Sequence, residues 1–449
     1  MDQPEKVCMG CYTWRVESKR EPTGTSLVAD KGADSMQRNF VIAVVVSWFL
    51  VSVQARIRAD RPILFNTNFE GGSLGKIEVL GENRFRCLVQ GQHDERGRNR
   101  QANWYYFRMD GVRDRDITLT LADVVGEYND KPGACPMTAD TVPVFSDDNE
   151  HWRHFPEMAW DDVKKEATLH FRPQHDRIWI AHLPPYPHGR LLRLLERLDQ
   201  SASARVEVIG KTAQGRDLHL VTVTNFDRPD QGKKVVWLQA RQHAWEAATS
   251  YVMEGALTFV TSDEPRARSL RDRVLFVFTP MLDPDGCATG KVRFNANGYD
   301  VNRHWDEVDL RRKQFLEHMP EIWYVKKAIM GFIDSGHTID LMLNLHNTET
   351  SEYLETQANE EREHALMSRC FEELVASTLF DPSAKLRFAA PNDHTTNSLY
   401  RERKIPVMLM EQRITTSRKL NRHLTRRDRL EFGRELLRVM AETVLKESR

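Results

Sequence analysis

Between residue 56 and about residue 184 apolar and polar positions alternate in short runs, whereas beyond that point apolar residues gather into near-continuous blocks set between helical stretches. Alternation has the period of a strand with one buried face, so 76–80, 84–89, 104–108, 116–121, 141–145, 166–171 and 177–181 are predicted strands. Gly, Asp and Asn turns separate them and no long helical pattern interrupts, which predicts an antiparallel β-sandwich over 56–184. Leu183-Pro-Pro-Tyr-Pro187 marks its end.

From 185 to 449 the pattern is that of an α/β domain. A helix over 189–198 leads into strands at 205–209 and 217–223. The blocks 234–239, 273–279, 341–345 and 407–410 are apolar at almost every position, as strands covered on both faces must be. Helices are predicted over 247–260 and within 305–338, a charged stretch that carries Trp305, Phe315, Trp323 and Phe332. Each apolar block runs into polar residues, and in open α/β sheets ligands collect where strands end.

Those polar residues carry candidate chemistry. His243 and Glu246 follow the first block, His346 the third and Glu411 the fourth. Two imidazoles and a carboxylate form a His₂Glu set that grips zinc and leaves a fourth position open for water. Taken singly, each residue has a plainer reading. His346 suits a core imidazole bonded to a carbonyl, Glu411 an edge carboxylate paired with Arg413, and Arg303 a counter-charge for Asp300 or Asp306.

The segments RQHAWE, TPMLDPDGCATGKVRFNANGYDVNRHW, LNLHNTE and LMEQRI occur in this order. With them the chain, over about 195–445, resembles the zinc metallocarboxypeptidases of the carboxypeptidase A type, in the cytosolic-carboxypeptidase-like branch with its bacterial relatives. The resemblance implies a carboxypeptidase-like mixed sheet flanked by helices, preceded by an antiparallel β-sandwich whose opening is Asn68-Phe-Glu-Gly-Gly-Ser-Leu74. It implies one Zn²⁺ per chain on His243, Glu246 and His346, and Glu411 as general base. It implies that Asn302 and Arg303 hold the free C-terminal carboxylate of a peptide substrate, and that Arg293 stands beside the scissile carbonyl. Hydrolysis of a C-terminal peptide or isopeptide bond is the expected activity. A zinc amidohydrolase of the aspartoacylase or desuccinylase kind is the alternative, as is a non-catalytic carboxylate-binding protein on the same scaffold. The tyrosine that pancreatic-type relatives carry before the general base has no counterpart here, since Tyr400 lies too close to Glu411 in sequence. The segment 393–398, expected to line the specificity pocket, has no Lys or Arg, which weighs against simple removal of glutamate.

Composition narrows the picture little further. In 449 residues, 64 basic side chains balance 65 acidic ones, and this gives no electrostatic call for a nucleic-acid partner. Residues 1–35 are polar and read as a disordered or mis-assigned leader. Residues 36–55 have the plan of a signal peptide starting at Met36, with cleavage after Ala55, which predicts an exported protein, or a cytoplasmic one if that segment is not a signal. The apolar run is short for a membrane span, so the mature chain is expected to lack a stable one. Cys87, Cys135, Cys287 and Cys370 are too few for a disulfide framework, and Cys8-x-x-Cys11 lacks the second pair of a zinc site. Oligomeric state is left open.

Overall fold

The computed structural model describes residues 62–447 apart from 134, 136, 359 and 391. The expected leader, the signal segment with its cleavage point, and Cys8-x-x-Cys11 lie outside the described residues.

The N-terminal region is two five-stranded sheets. One runs Leu64–Asn66, Tyr106–Asp110, Arg177–Ala181, Val144–Ser146, Arg153–His154; the other runs Ala159–Asp161, Glu166–Phe171, Ile117–Ala122, Arg84–Leu88, Ile77–Gly81. Every pairing is antiparallel except that of Arg84–Leu88 with Ile117–Ala122. The alternation in sequence becomes burial: Ile117, Leu119 and Leu121 face a core that includes Phe85, Phe107, Leu169 and Ile180, while Thr118 and Thr120 face the other way. A small third sheet, made of Gln92–His93, Arg100–Gln101, Glu127–Tyr128 and Lys131–Pro132, projects from this region. Arg100 pins it, donating to the carbonyls of Val89, Asp123 and Val125 and to the Asp123 carboxylate.

The C-terminal region is built on an eight-stranded mixed sheet in the order Ala204–Lys211, Asp217–Val223, Val274–Thr279, Lys234–Ala240, Leu341–Thr348, Val407–Arg413, Tyr353–Thr356, Lys385–Phe388. Its four central strands are parallel and correspond to the four apolar blocks. They enclose Trp237, Phe276, Phe278 and Leu343, all buried. Helix Ala247–Val260 is buried at every position but Thr258 and packs on Arg426–Lys446. The approach is close enough to require glycine: a Cβ on Gly433 would stand 1.9 Å from the Val252 carbonyl oxygen.

Among the differences from the pattern-based expectation, two bear on the site. His346 and Glu411 do not follow their strands but lie inside them, because Leu341–Thr348 and Val407–Arg413 extend beyond the apolar blocks and stay paired. Backbone hydrogen bonds carry a strand on after its side chains turn polar; an apolar run marks burial, not the end of pairing. The last two strands of the sheet, Tyr353–Thr356 and Lys385–Phe388, were not anticipated, since four mixed residues give almost no period to read.

Candidate metal centre and active site

The chain leaves strand Lys234–Ala240 through Arg241, whose φ of +58° lies in the left-handed region that non-glycine residues seldom occupy. Its buried guanidinium holds the turn, donating to the Ala244 carbonyl at 2.9 and 2.6 Å, to the Tyr186 carbonyl at 3.1 Å and to Ser250 Oγ at 2.8 Å. The turn brings Gln242 and His243 inward and leaves Glu246 at the cap of helix Ala247–Val260, where its carboxylate makes no bond to the helix.

His243, Glu246 and His346 are all buried and offer ligand atoms within 4.8 Å of one another. His243 Nδ1 is 2.7 Å from Glu246 Oε1, and His346 Nδ1 is 3.0 Å from Glu246 Oε2. The outer ring nitrogens face acceptors: His243 Nε2 is 3.1 Å from Asp300 Oδ1, and His346 Nε2 is 3.0 Å from Gln242 Oε1. The orientation of the Gln242 amide is fixed, because its nitrogen donates to the Val301 carbonyl at 2.6 Å and its oxygen accepts from Asn344 at 2.6 Å. With a cation held between them, both imidazoles would carry the proton on Nε2, toward Asp300 and Gln242, and turn the Nδ1 lone pair inward.

This donor set fits a divalent metal. Burial lowers the His346 pKa, which favours the neutral imidazole a metal needs. Burial alone would raise Glu246, but His243 and His346 beside it hold the carboxylate below its ordinary range. Its buried Oε2 faces His346 Nδ1 at 3.0 Å, and a cation between the three side chains would take all their inward-facing donor atoms at once.

Asp300 links this cluster to the rest of the site. Besides His243 it accepts from Arg293 Nε at 2.7 Å and from the Asn302 backbone N–H at 2.9 Å. Burial pushes its pKa upward, but Arg293 and His243, with Arg303 nearby, hold it well below the usual carboxylate value. Only Nε of the Arg293 side chain is engaged among the described residues, which leaves the outer guanidinium nitrogens for a ligand. The Asn302 side-chain oxygen accepts from Thr395 N and Oγ1, at 3.3 and 3.0 Å. Arg303 is one-third exposed, donates to the Asn302 carbonyl at 3.0 Å and stands 3.9 Å from Asp393.

Glu411 sits one strand over from His346 and in register with it. Burial and the neighbouring Glu246 push its pKa well above the ordinary value against the pull of Arg293, and its Oε2 has no hydrogen-bond partner. Two of the plainer pairings are not realised, since Arg413 pairs with Asp381 and Asp306 with Arg401, whereas the charge of Arg303 does act on Asp300.

Four neighbours of the site had not been singled out. Gln242 and Asp300 lie within the motifs, next to residues that were, and could have been found by asking what each histidine's second nitrogen would bond. Tyr353 is paired across strands with Glu411, on the same face, with the Arg387 guanidinium 3.7 Å above its ring. Gln92 had no local signal at all. Its side-chain oxygen accepts from the backbone N–H groups of Val292, Arg293 and Phe294, and its nitrogen donates to the Phe294 carbonyl, so the N-terminal region holds the loop that bears Arg293.

The family described as zinc carboxypeptidase matches residues 191–400, and the cytosolic carboxypeptidase N-terminal domain matches residues 65–183. These matches give the chain a domain of the zinc carboxypeptidase family behind a cytosolic carboxypeptidase N-terminal domain. Cytosolic carboxypeptidase 2 of Macaca fascicularis is 27% identical over 338 residues, covering 70% of this chain and 38% of that one. Cytosolic carboxypeptidase 6 of Mus musculus is 27% identical over 260 residues, 54% of this chain and 46% of that one. The carboxypeptidase-family chain thus spans less than half the length of these relatives. A metallo-carboxypeptidase structure from Burkholderia cenocepacia has the same fold, with a TM-score of 0.73 at 22% identity over 86% of this chain and 99% of that one.

Proposed function

We propose that this protein is a zinc-dependent carboxypeptidase that hydrolyses the C-terminal peptide or isopeptide bond of a peptide substrate. The observation that carries the reading is the pairing of an inward-facing His₂Glu donor set with an unbonded carboxylate, Glu411, one strand away. A binding protein on this scaffold would have no use for such a base.

His243, Glu246 and His346 would hold one zinc ion, which would supply Lewis acidity, lowering the pKa of a water from about 16 to about 7 and polarising a carbonyl. The chain's own residues do the rest. Asp300 and Gln242 keep the imidazoles in the ligating tautomer. Glu411 takes a proton from the attacking water and returns it to the leaving amine, a role that suits a carboxylate whose pKa is raised. The outer nitrogens of Arg293 bond the carbonyl oxygen as it gains charge, worth about 3 kcal/mol for a well-placed donor. Arg303 clamps the terminal carboxylate through two parallel hydrogen bonds, with Asn302 beside it. The clamp makes the enzyme an exopeptidase.

The test is release of single amino acids from the C-termini of a mixed peptide library by the purified protein, with and without a chelator. Chelator-sensitive release supports the reading, whereas bound zinc with no release sinks it. Export through residues 36–55 belongs to the same proposal, and N-terminal sequencing of the protein from its native cells tests it.

A further inference from the structure

We propose that the cavity between the small N-terminal sheet and the end of the His346 strand is a binding subsite for a cationic side chain, ammonium or guanidinium, in the part of the substrate that precedes the bond cleaved. The inference rests on the carboxypeptidase reading for its orientation, not for its existence. The cavity measures about 400 Å³, within the range of small-ligand sites. Its wall joins Gln101, Asn103, Glu127, Tyr128 and Cys135 of the N-terminal region to Glu349, three residues past His346.

Charge selects the occupant. Two carboxylates, Glu127 and Glu349, line the cavity, and no Lys or Arg is among its described lining residues. At Cys135 the fields of Glu349 and Asp162 oppose that of Lys165. Glu349 is nearly buried and takes one hydrogen bond, from Asn103 at 2.9 Å, while Thr415 Oγ1 fixes its backbone carbonyl at 2.7 Å. Burial raises its pKa to about 7, a cost that a cation placed beside it reverses. Around the carboxylate stand amide and hydroxyl groups that can hydrogen-bond an ammonium or guanidinium without competing for its charge.

Position selects the part of the substrate. Once its carboxylate lies on Arg303, a C-terminal residue has its side chain against the Asn302–Arg303 turn and the segment 393–398, and none of those residues lines this cavity. The cavity is nonetheless adjoining: the charges of Glu246 and Glu411 reach Glu349, and Tyr128 reaches Arg303. What enters it is therefore the chain running back from the cleaved bond. Tyr128, 68% exposed, stands at its lip.

The experiment measures binding of fluorescent alanine hexapeptides to the full-length, zinc-loaded Glu411→Gln protein. The peptides carry one lysine or one glutamate at the third or fourth residue from the C-terminus, each with a free or an amidated end. Lysine peptides are expected to bind about tenfold more tightly than glutamate peptides, as one charge-assisted contact provides. Glu127→Gln, at a half-buried position, should narrow the ratio, and Glu127→Gln with Glu349→Gln should abolish it. The lysine peptide should also protect Cys135 from alkylation, read by peptide mapping in protein whose cavity is unaltered. Equal affinity for both charges, a ratio indifferent to the substitutions, or an unprotected Cys135 overturns the subsite. Amidation separates the two readings: if it leaves affinity unchanged while the charge ratio persists, the carboxylate clamp is wrong and the subsite stands.

Discussion

The two sides of the metal centre are built in opposite ways. On the ligand side nearly every polar atom is engaged: His243 on Asp300, His346 on Gln242, Gln242 on Asn344, Val301 and Thr395, and Asp300 on Arg293 and Asn302. On the facing side Glu411 Oε2 is unbonded, the outer nitrogens of Arg293 have no described partner, and Arg303 is one-third exposed. The saturated side fixes geometry before anything binds. The unsaturated side carries groups whose partners arrive with the substrate. An active site needs both, since a base already hydrogen-bonded to protein would have to break that bond to act, and a ligand free to turn would hold metal poorly.

The strongest way to break the comparison is to exchange the failures of the two sides. His243→Ala should take the protein from about one zinc per chain to near none by mass spectrometry of the native protein, whereas Glu411→Gln should keep the zinc and lose roughly 10²–10⁴ of kcat. A zinc-free Glu411→Gln protein would mean that the two sides are not separate. Next in size is Arg303→Ala, expected to weaken kcat/KM for free-carboxylate peptides by about 10–100-fold while amidated peptides change little. Equal losses on both would remove the clamp. Asp300→Asn sharpens the ligand side, because it keeps the shape and removes the charge behind His243; zinc affinity in a competition titration should fall by about 10–100-fold.

The smallest effect is on stability in the metal-free protein. Glu411 holds its proton in the folded state at pH values where the unfolded chain has already released it. Unfolded chain then binds fewer protons than folded chain, so stability should decline as pH rises from the ordinary glutamate range through the raised pKa. Glu411→Gln should flatten that decline in thermal melts, and zinc should remove it, since a nearby cation favours the carboxylate. A wild-type melt that is flat over this range would show that the carboxylate is already solvated.

Most of the frame was legible because it depends on local pattern. The four buried strands, helix Ala247–Val260 and the alternating strands Glu166–Phe171 and Arg177–Ala181 stand where periodicity predicted them, since burial on one or both faces dictates which positions are apolar. The ordered motifs likewise marked the residues that the fold brings together at the centre. The two four-residue strands at the end of the sheet were not legible, because so short a segment has no period. Nor was the location of Tyr353 beside Glu411, which depends on an antiparallel strand meeting the last of the parallel ones.

The sequence alone determined the kinds of layer, the donor types and their attachment to strand and helix ends, because these follow from side-chain polarity over a few residues. Only the tertiary structure decided which acceptors face the outer nitrogens of the histidines, that Gln92 holds the Arg293 loop 201 residues away, and that Glu349 shares a cavity with the N-terminal sheet. Hydrogen bonding and electrostatics act over a few ångströms of space and carry no trace of how far apart their partners lie along the chain.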